Sequence, residues 1–198
     1  MKDRKTHLQS LRFWSRSMAL AAGCLSVGLG GGLPPPAPAA PSLTESQVKA
    51  LCLFNFAKYV EWPTNSFSNA NSPLLLVLQG DGAFTAAVQS SFKDKIVNGR
   101  TIAIQVIHSG EVIPPCHILF VRSAENYRAP DILKRVNGLP VLTVGEEPPF
   151  TDAGGMISFV VRKGKVRFDI NAAAARKAGL RISSNLLQLA DTVSDKPR

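Results

Sequence analysis

Leu74-Leu75-Leu76-Val77-Leu78 is an uninterrupted apolar run bounded by Pro73 and Gly80. It is too short for a buried helix, and a strand with one wet face would alternate polar and apolar residues; a strand covered on both faces remains. His117-Ile118-Leu119-Phe120-Val121 and Val141-Leu142-Thr143-Val144 repeat the pattern, and Thr101 to Ile107 adds a segment rich in isoleucine and valine. Ala83 to Ser91 reads as a short helix, and Pro130 suits the first turn of another that ends near Asn137-Gly138. Doubly buried strands broken by short helices predict an α/β domain, a largely parallel sheet flanked by helices.

The ends of the domain read differently. Thr44-Glu45-Ser46-Gln47 is a capping box that starts a helix, and Trp62-Pro63 stops it. That helix is apolar nearly all round, which predicts burial of most of it, with Lys58 and Glu61 on its wet side. In the last third, Gly155–Val161 and Lys165–Asn171 form a C-terminal β-hairpin across Arg162-Lys163-Gly164. Two short helices follow, Asn171–Ala178 closed by Gly179, and Ser183–Thr192 with Leu186, Leu187 and Leu189 inward. With no internal repeat or linker, one domain spans 42–193, followed by a tail at 194–198.

The chain has 198 residues and a net charge of +9, which invites a nucleic-acid partner. Its distribution argues against one: residues 1–39 carry a net +4 of that charge, leaving +5 on the rest. The N-terminus has the layout of a secretory signal peptide, residues 1–39: basic residues through Arg16, the short apolar stretch Ser17–Leu29, then Ala37-Pro38-Ala39 as a cleavage site. Ala21-Ala22-Gly23-Cys24 also resembles a lipoprotein processing box, the lesser reading because the apolar run before it is short. The expectation is Sec export to the periplasm. There Cys52 and Cys116 permit one disulfide, with two buried thiols as the favoured alternative.

The motifs for catalysis are incomplete. Gly80-Asp81-Gly82 has the start of a phosphate-binding turn, but Thr85 stands where the third glycine belongs. Cys116 and His117 are neighbours on a strand and point to opposite faces. Cys52, Cys116, His108 and His117 lack the spacing of a zinc site. No cofactor, metal or catalytic centre is expected. Two features suggest contacts with a partner or a small ligand. Along the second hairpin strand Arg167, Asp169 and Asn171 share one face, either a solvated face whose charges discourage edge pairing, the favoured reading, or a polar floor for a ligand or a partner's tail, beside Gly154-Gly155, where the backbone permits close approach. Asn55, Tyr59 and Trp62 form one stripe of the first helix, either core or an interface anchor. Residues 162–181 carry a charge of +6, a patch for an acidic partner or simply a soluble surface.

Several segments together resemble the YfiR family: Val48-Lys49-Ala50, Phe54-Asn55-Phe56-Ala57-Lys58-Tyr59-Val60-Glu61-Trp62-Pro63, Cys116-His117-Ile118-Leu119-Phe120 and Pro140-Val141-Leu142-Thr143-Val144. Gly154-Gly155-Met156-Ile157-Ser158-Phe159, Val166-Arg167-Phe168-Asp169-Ile170-Asn171 and Ala175-Arg176-Lys177-Ala178-Gly179-Leu180 through Leu187 continue the series in order. The resemblance implies a small periplasmic regulator without enzymatic activity, with an α/β fold and a tendency to form homodimers. It implies binding to the periplasmic part of a YfiN-like inner-membrane diguanylate cyclase, repression of cyclic-di-GMP synthesis, and release by a YfiB-like outer-membrane lipoprotein. A solute-sensing module acting on a histidine kinase or other receptor is the alternative. With Cys52 and Cys116 alone in the mature chain, control by two disulfides does not carry over.

Overall fold

The computed structural model describes residues 42–195. The expected signal peptide and Cys24 lie outside them. Among the described residues no helix is long and apolar enough to cross a membrane.

In chain order the elements are α1 (Glu45–Tyr59), β1 (Val60–Glu61), β2 (Leu74–Gln79), α2 (Ala83–Phe92), β3 (Ile96–Val97), β4 (Arg100–Ile107), β5 (Ile118–Phe120) and α3 (Ala129–Arg135). There follow β6 (Leu142–Glu146), α4 (Pro149–Asp152), β7 (Ile157–Arg162), β8 (Lys165–Asn171), α5 (Ala172–Lys177), β9 (Arg181–Ile182), α6 (Ser184–Leu189) and β10 (Thr192–Ser194). Eight strands form one mostly parallel sheet in the order β3-β4-β2-β5-β6-β7-β8-β10. Only the β3–β4 and β7–β8 pairs in it are antiparallel. The expected class therefore holds: the apolar runs at Leu74 and Ile118 are interior parallel strands, and the hairpin continues the sheet.

Alternation along the strands sorts the core into two layers. Leu76 and Leu78 of β2, Ile118 and Phe120 of β5, and Leu142 and Val144 of β6 face α1, whose Leu53, Phe56 and Ala57 are fully buried. Phe56 is the centre of that layer, stacked on Phe159 at 5.5 Å and edge-on to Phe168 at 4.9 Å. Val77, Leu119 and Val141 face the other way, into a smaller layer with Ile132 of α3 and Phe150 of α4. The Thr44 capping box forms as expected, with Gln47 N–H donating to Thr44 Oγ1 and Gln47 Oε1 accepting from Thr44 N–H.

Four local expectations are corrected. The last helix does not reach Thr192: α6 ends at Leu189, which is exposed, and Thr192–Ser194 forms β10 parallel to β8. Ala190 adopts extended backbone and starts the exit from the helix; Leu186 is buried and Leu187 packs on the core, while Leu189 does not. α1 is less buried than its composition suggests, because Leu51 and Asn55 face solvent. The hairpin turn is the two residues Lys163-Gly164, both at positive φ (51° and 70°), the geometry of a tight type I′ connection. Finally, α1 ends at Tyr59 and not at Trp62-Pro63, so Glu61 and Trp62 are not on the helix: Val60–Glu61 turns extended and pairs with β9 as a separate antiparallel ribbon, Val60 opposite Ile182 and Glu61 opposite Arg181.

Candidate functional site

On β8 the expected alternation holds: Phe168 and Ile170 enter the α1 core, and Arg167, Asp169 and Asn171 lie on the other face. These three residues do not share one environment. Asp169 is buried, and its Oδ2 accepts from Arg162 Nη2 at 3.0 Å, while Oδ1 has no partner among the described residues. Arg162 also bonds Asp191 through Nη1, so one guanidinium clasps two carboxylates from the strand and from the segment entering β10. A buried carboxylate is strongly unfavourable without such a partner. Asn171 caps α5, its Oδ1 accepting from Ala174 N–H at 3.0 Å. Arg167 alone stays exposed.

The basic run 162–181 is partly neutralised in the fold. Arg176 pairs with Asp195 and Arg181 with Glu61, besides the Arg162 clasp. Lys163, Lys165 and Arg167 have no ion-pair partner among the described residues, and all three are exposed at the hairpin end. Sequence distance hides this division, because each neutralising acid lies well away along the chain or in another element.

Gly155 is buried against protein. A Cβ there would overlap the Phe150 ring and approach the Phe150 carbonyl oxygen to 2.7 Å, and a Cβ on Gly145 would meet the same ring. The close approach expected at Gly155 is thus made by Phe150, which seats in a socket floored by two glycines. Tyr59 and Trp62 are half-buried beside the core. Trp62 Nε1 donates to the His117 carbonyl at 3.2 Å, and Ser183 N–H donates to the Tyr59 carbonyl at 3.0 Å. Tyr59 therefore marks where β1 meets β9, and Trp62 ties the segment after α1 to β5.

His117 is held by backbone at both ring nitrogens. Nδ1 accepts from Leu75 N–H at 2.9 Å, which leaves Nε2 as the donor to the Ser66 carbonyl at 3.0 Å. Phe67 stacks on the ring at 4.3 Å, and Arg100 covers Phe67 in turn. Burial lowers the imidazole pKa, the Ser66 bond works against that, and the Arg100 charge reinforces the lowering. This is a neutral, structural histidine. Cys52 and Cys116 are free thiols. Cys52 packs on the α1 layer and Cys116 on the α3 layer, so the sheet separates them and the permitted disulfide does not form. Burial raises both thiols, Cys116 to about 12, far from the range of a nucleophile.

One charged cluster escapes sequence reasoning. Lys49 Nζ lies 2.7 Å from both Glu45 and Glu146, and Glu146 also accepts from Ser123 N–H at 3.0 Å. Burial opposes ionisation of each group, but the mutual hydrogen bonds and charges outweigh it, so Lys49 titrates above and Glu146 below the ordinary value. The pair bolts the start of α1 to the C-terminal end of β6. Its partners are 97 positions apart, and Lys49 by itself reads as a helix surface residue.

Among the described residues no group of three or more His, Cys, Asp or Glu side chains could hold a metal ion. A model of the YfiR/HmsC-like family matches residues 46–191, from the first turn of α1 to the residue before β10. The chain belongs to the YfiR/HmsC-like family. Membership places it with periplasmic regulators associated with cyclic-di-GMP signalling, a family known for regulation rather than catalysis. Among solved structures, the chain resembles a crystal structure titled as a conserved domain protein from Vibrio cholerae O1 biovar El Tor str. N16961. The TM-score is 0.54 at 11% identity, covering 77% of this chain and 61% of that one. That likeness supports the fold alone, and the YfiR/HmsC-like chain described here spans under two thirds of the Vibrio protein's length.

Proposed function

We propose that this protein is a non-catalytic periplasmic repressor that docks on the periplasmic part of a YfiN-like inner-membrane diguanylate cyclase and lowers cyclic-di-GMP synthesis. A YfiB-like outer-membrane lipoprotein is its antagonist. The observation that carries the reading is the family match over 46–191, which takes in α1 through α6. The chemistry of the interior agrees with it: the half-buried thiols titrate high and His117 is committed to backbone at both nitrogens.

The docking contact we assign is the hairpin end, where Lys163, Lys165 and Arg167 present positive charge without intramolecular neutralisation among the described residues. An acidic surface on the cyclase would meet it, and such rim charges act mainly on association rate. The test combines affinity capture from crosslinked envelopes with cyclic-di-GMP measurement in the same cells. Deletion should raise cyclic-di-GMP and capture should recover a membrane protein with a cyclase output domain. Changing Lys163, Lys165 and Arg167 to Glu together should weaken that capture by about tenfold or more and leave the fold intact. Capture of a histidine kinase with unchanged nucleotide would instead establish the alternative circuit and refute the cyclase reading.

A further inference from the structure

The geometry points to a binding site for a small organic carboxylate in the cleft between α3 and α5. The cleft measures about 530 Å³, within the ~300–1,000 Å³ usual for small-molecule sites. Leu133, Val136 and Met156 give it apolar walls. Its buried polar side chains, Thr143 and Asn171, have spare hydrogen-bond donors, and the rest of its polar side-chain lining is the exposed Asn137, Lys134 and Lys177.

Asn171 is 3% exposed and lines the cleft. Its Oδ1 is taken by Ala174 N–H, which fixes the amide orientation and leaves Nδ2 with two hydrogens and no acceptor among the described residues. Thr143 is 1% exposed and also lines the cleft. Its Oγ1 accepts from Met156 N–H at 3.1 Å, so its hydroxyl proton is free to donate. Lys134 and Lys177 add two exposed cations to the lining, neither ion-paired among the described residues. Neither Arg167 nor Asp169 lines this cleft.

Two buried donors with unused capacity, under two unpaired ammonium groups and between apolar walls, select a ligand by elimination. A cation would be repelled. A neutral polar solute would leave the lysines without a counter-charge, and a bare phosphate would leave the apolar walls unfilled. A carboxylate on an aliphatic or aromatic body uses every part: its oxygens accept from Asn171 Nδ2 and Thr143 Oγ1, the lysines supply the field, and the body covers Leu133, Val136 and Met156.

The test is an NMR titration of the isotope-labelled protein with hexanoate, and with hexanamide and inorganic phosphate as counterparts. Hexanoate should shift the amides of Gly138, Gly154 and Ala174 and the side-chain amide of Asn171, with an affinity on the order of millimolar for so small a probe. Hexanamide and phosphate should leave them in place. The variant Lys134→Gln with Lys177→Gln should weaken hexanoate by about fivefold or more. Ala173→Leu, which fills the cleft without touching the α5 cap, should abolish the shifts while the remaining amide spectrum stays folded. No response to hexanoate, or an equal response to hexanamide or phosphate, would overturn the assignment. The site stands apart from the hairpin: the triple Glu variant of Lys163, Lys165 and Arg167 should bind hexanoate as the parent does, whatever becomes of its docking.

Discussion

The two faces of the sheet are built to different standards. The α1 face is the larger layer, in which Phe56 meets Phe159 of β7 and Phe168 of β8 and Leu53 is fully buried in one cluster with residues of β2, β5 and β6. The α3 face is thinner, and two of its residues, Leu133 and Val136, also line the cleft between α3 and α5. The difference separates stability from access. The larger layer holds the strands in register, and the smaller one borders a cleft with room for a second molecule.

Matched truncations give the largest effects and the most direct way to break that comparison. Leu53→Ala, in the larger layer, should lose stability near the top of the usual range of about 2–5 kcal/mol, and Ile132→Ala, on the thin face, near the bottom. Urea denaturation of both would show it, and equal losses would mean that the faces do not differ in their freedom to collapse. Gly155→Ala should cost about 1–3 kcal/mol by driving Phe150 out of its socket; a neutral result would show that the thin face yields even there. Arg162→Met should cost about 1 kcal/mol, because it strips Asp169 of its partner. The cost is modest because Arg162 is itself 45% exposed at its side chain.

The smallest effect is a pH dependence. His117 titrates below its unfolded value, so the unfolded chain binds the extra proton first as pH falls. Stability should therefore drop as pH falls through the unfolded histidine value of about 6.5, with a slope no steeper than ~1.4 kcal/mol per pH unit. His117→Asn, which keeps an acceptor for Leu75 N–H, should remove that part of the slope between about pH 7.5 and pH 5.5. If the wild type and the variant lose melting temperature in parallel, the histidine is not the sensor.

How much of this was legible in the sequence depended on whether the signal was local. The capping box at Thr44, the apolar runs of β2 and β5 and the hairpin are local patterns, and the structure realises each of them. The two- and three-residue strands β1, β3, β9 and β10 are too short to show a period, and β10 was masked by leucines at helical spacing before it. On β8 the alternation placed Arg167, Asp169 and Asn171 on one face, but not what each would meet. Asp169 finds Arg162 and Asn171 caps the following helix, while the clasp with Asp191 and the Lys49–Glu146 pair depend on tertiary contact. The thin face was invisible for the same reason: a cleft is a property of how elements meet.

The pairing of Val60 with Ile182 sets the order in which the molecule can be assembled. α1 comes first in the chain, yet the aromatic side chains that close over Phe56 arrive with β7 and β8, and the strand that follows α1 finds its partner only when β9 appears. α2 and β2 follow early and cover one flank of the helix, with Phe92 edge-on to Phe54 at 5.4 Å, but closing the long loop to β7 and β8 is entropically slow, and the Phe56 flank waits for those strands. A nascent or truncated chain therefore shows the Phe56 flank of α1 to its surroundings, and a chaperone would find its handle there until β7 and β8 dock.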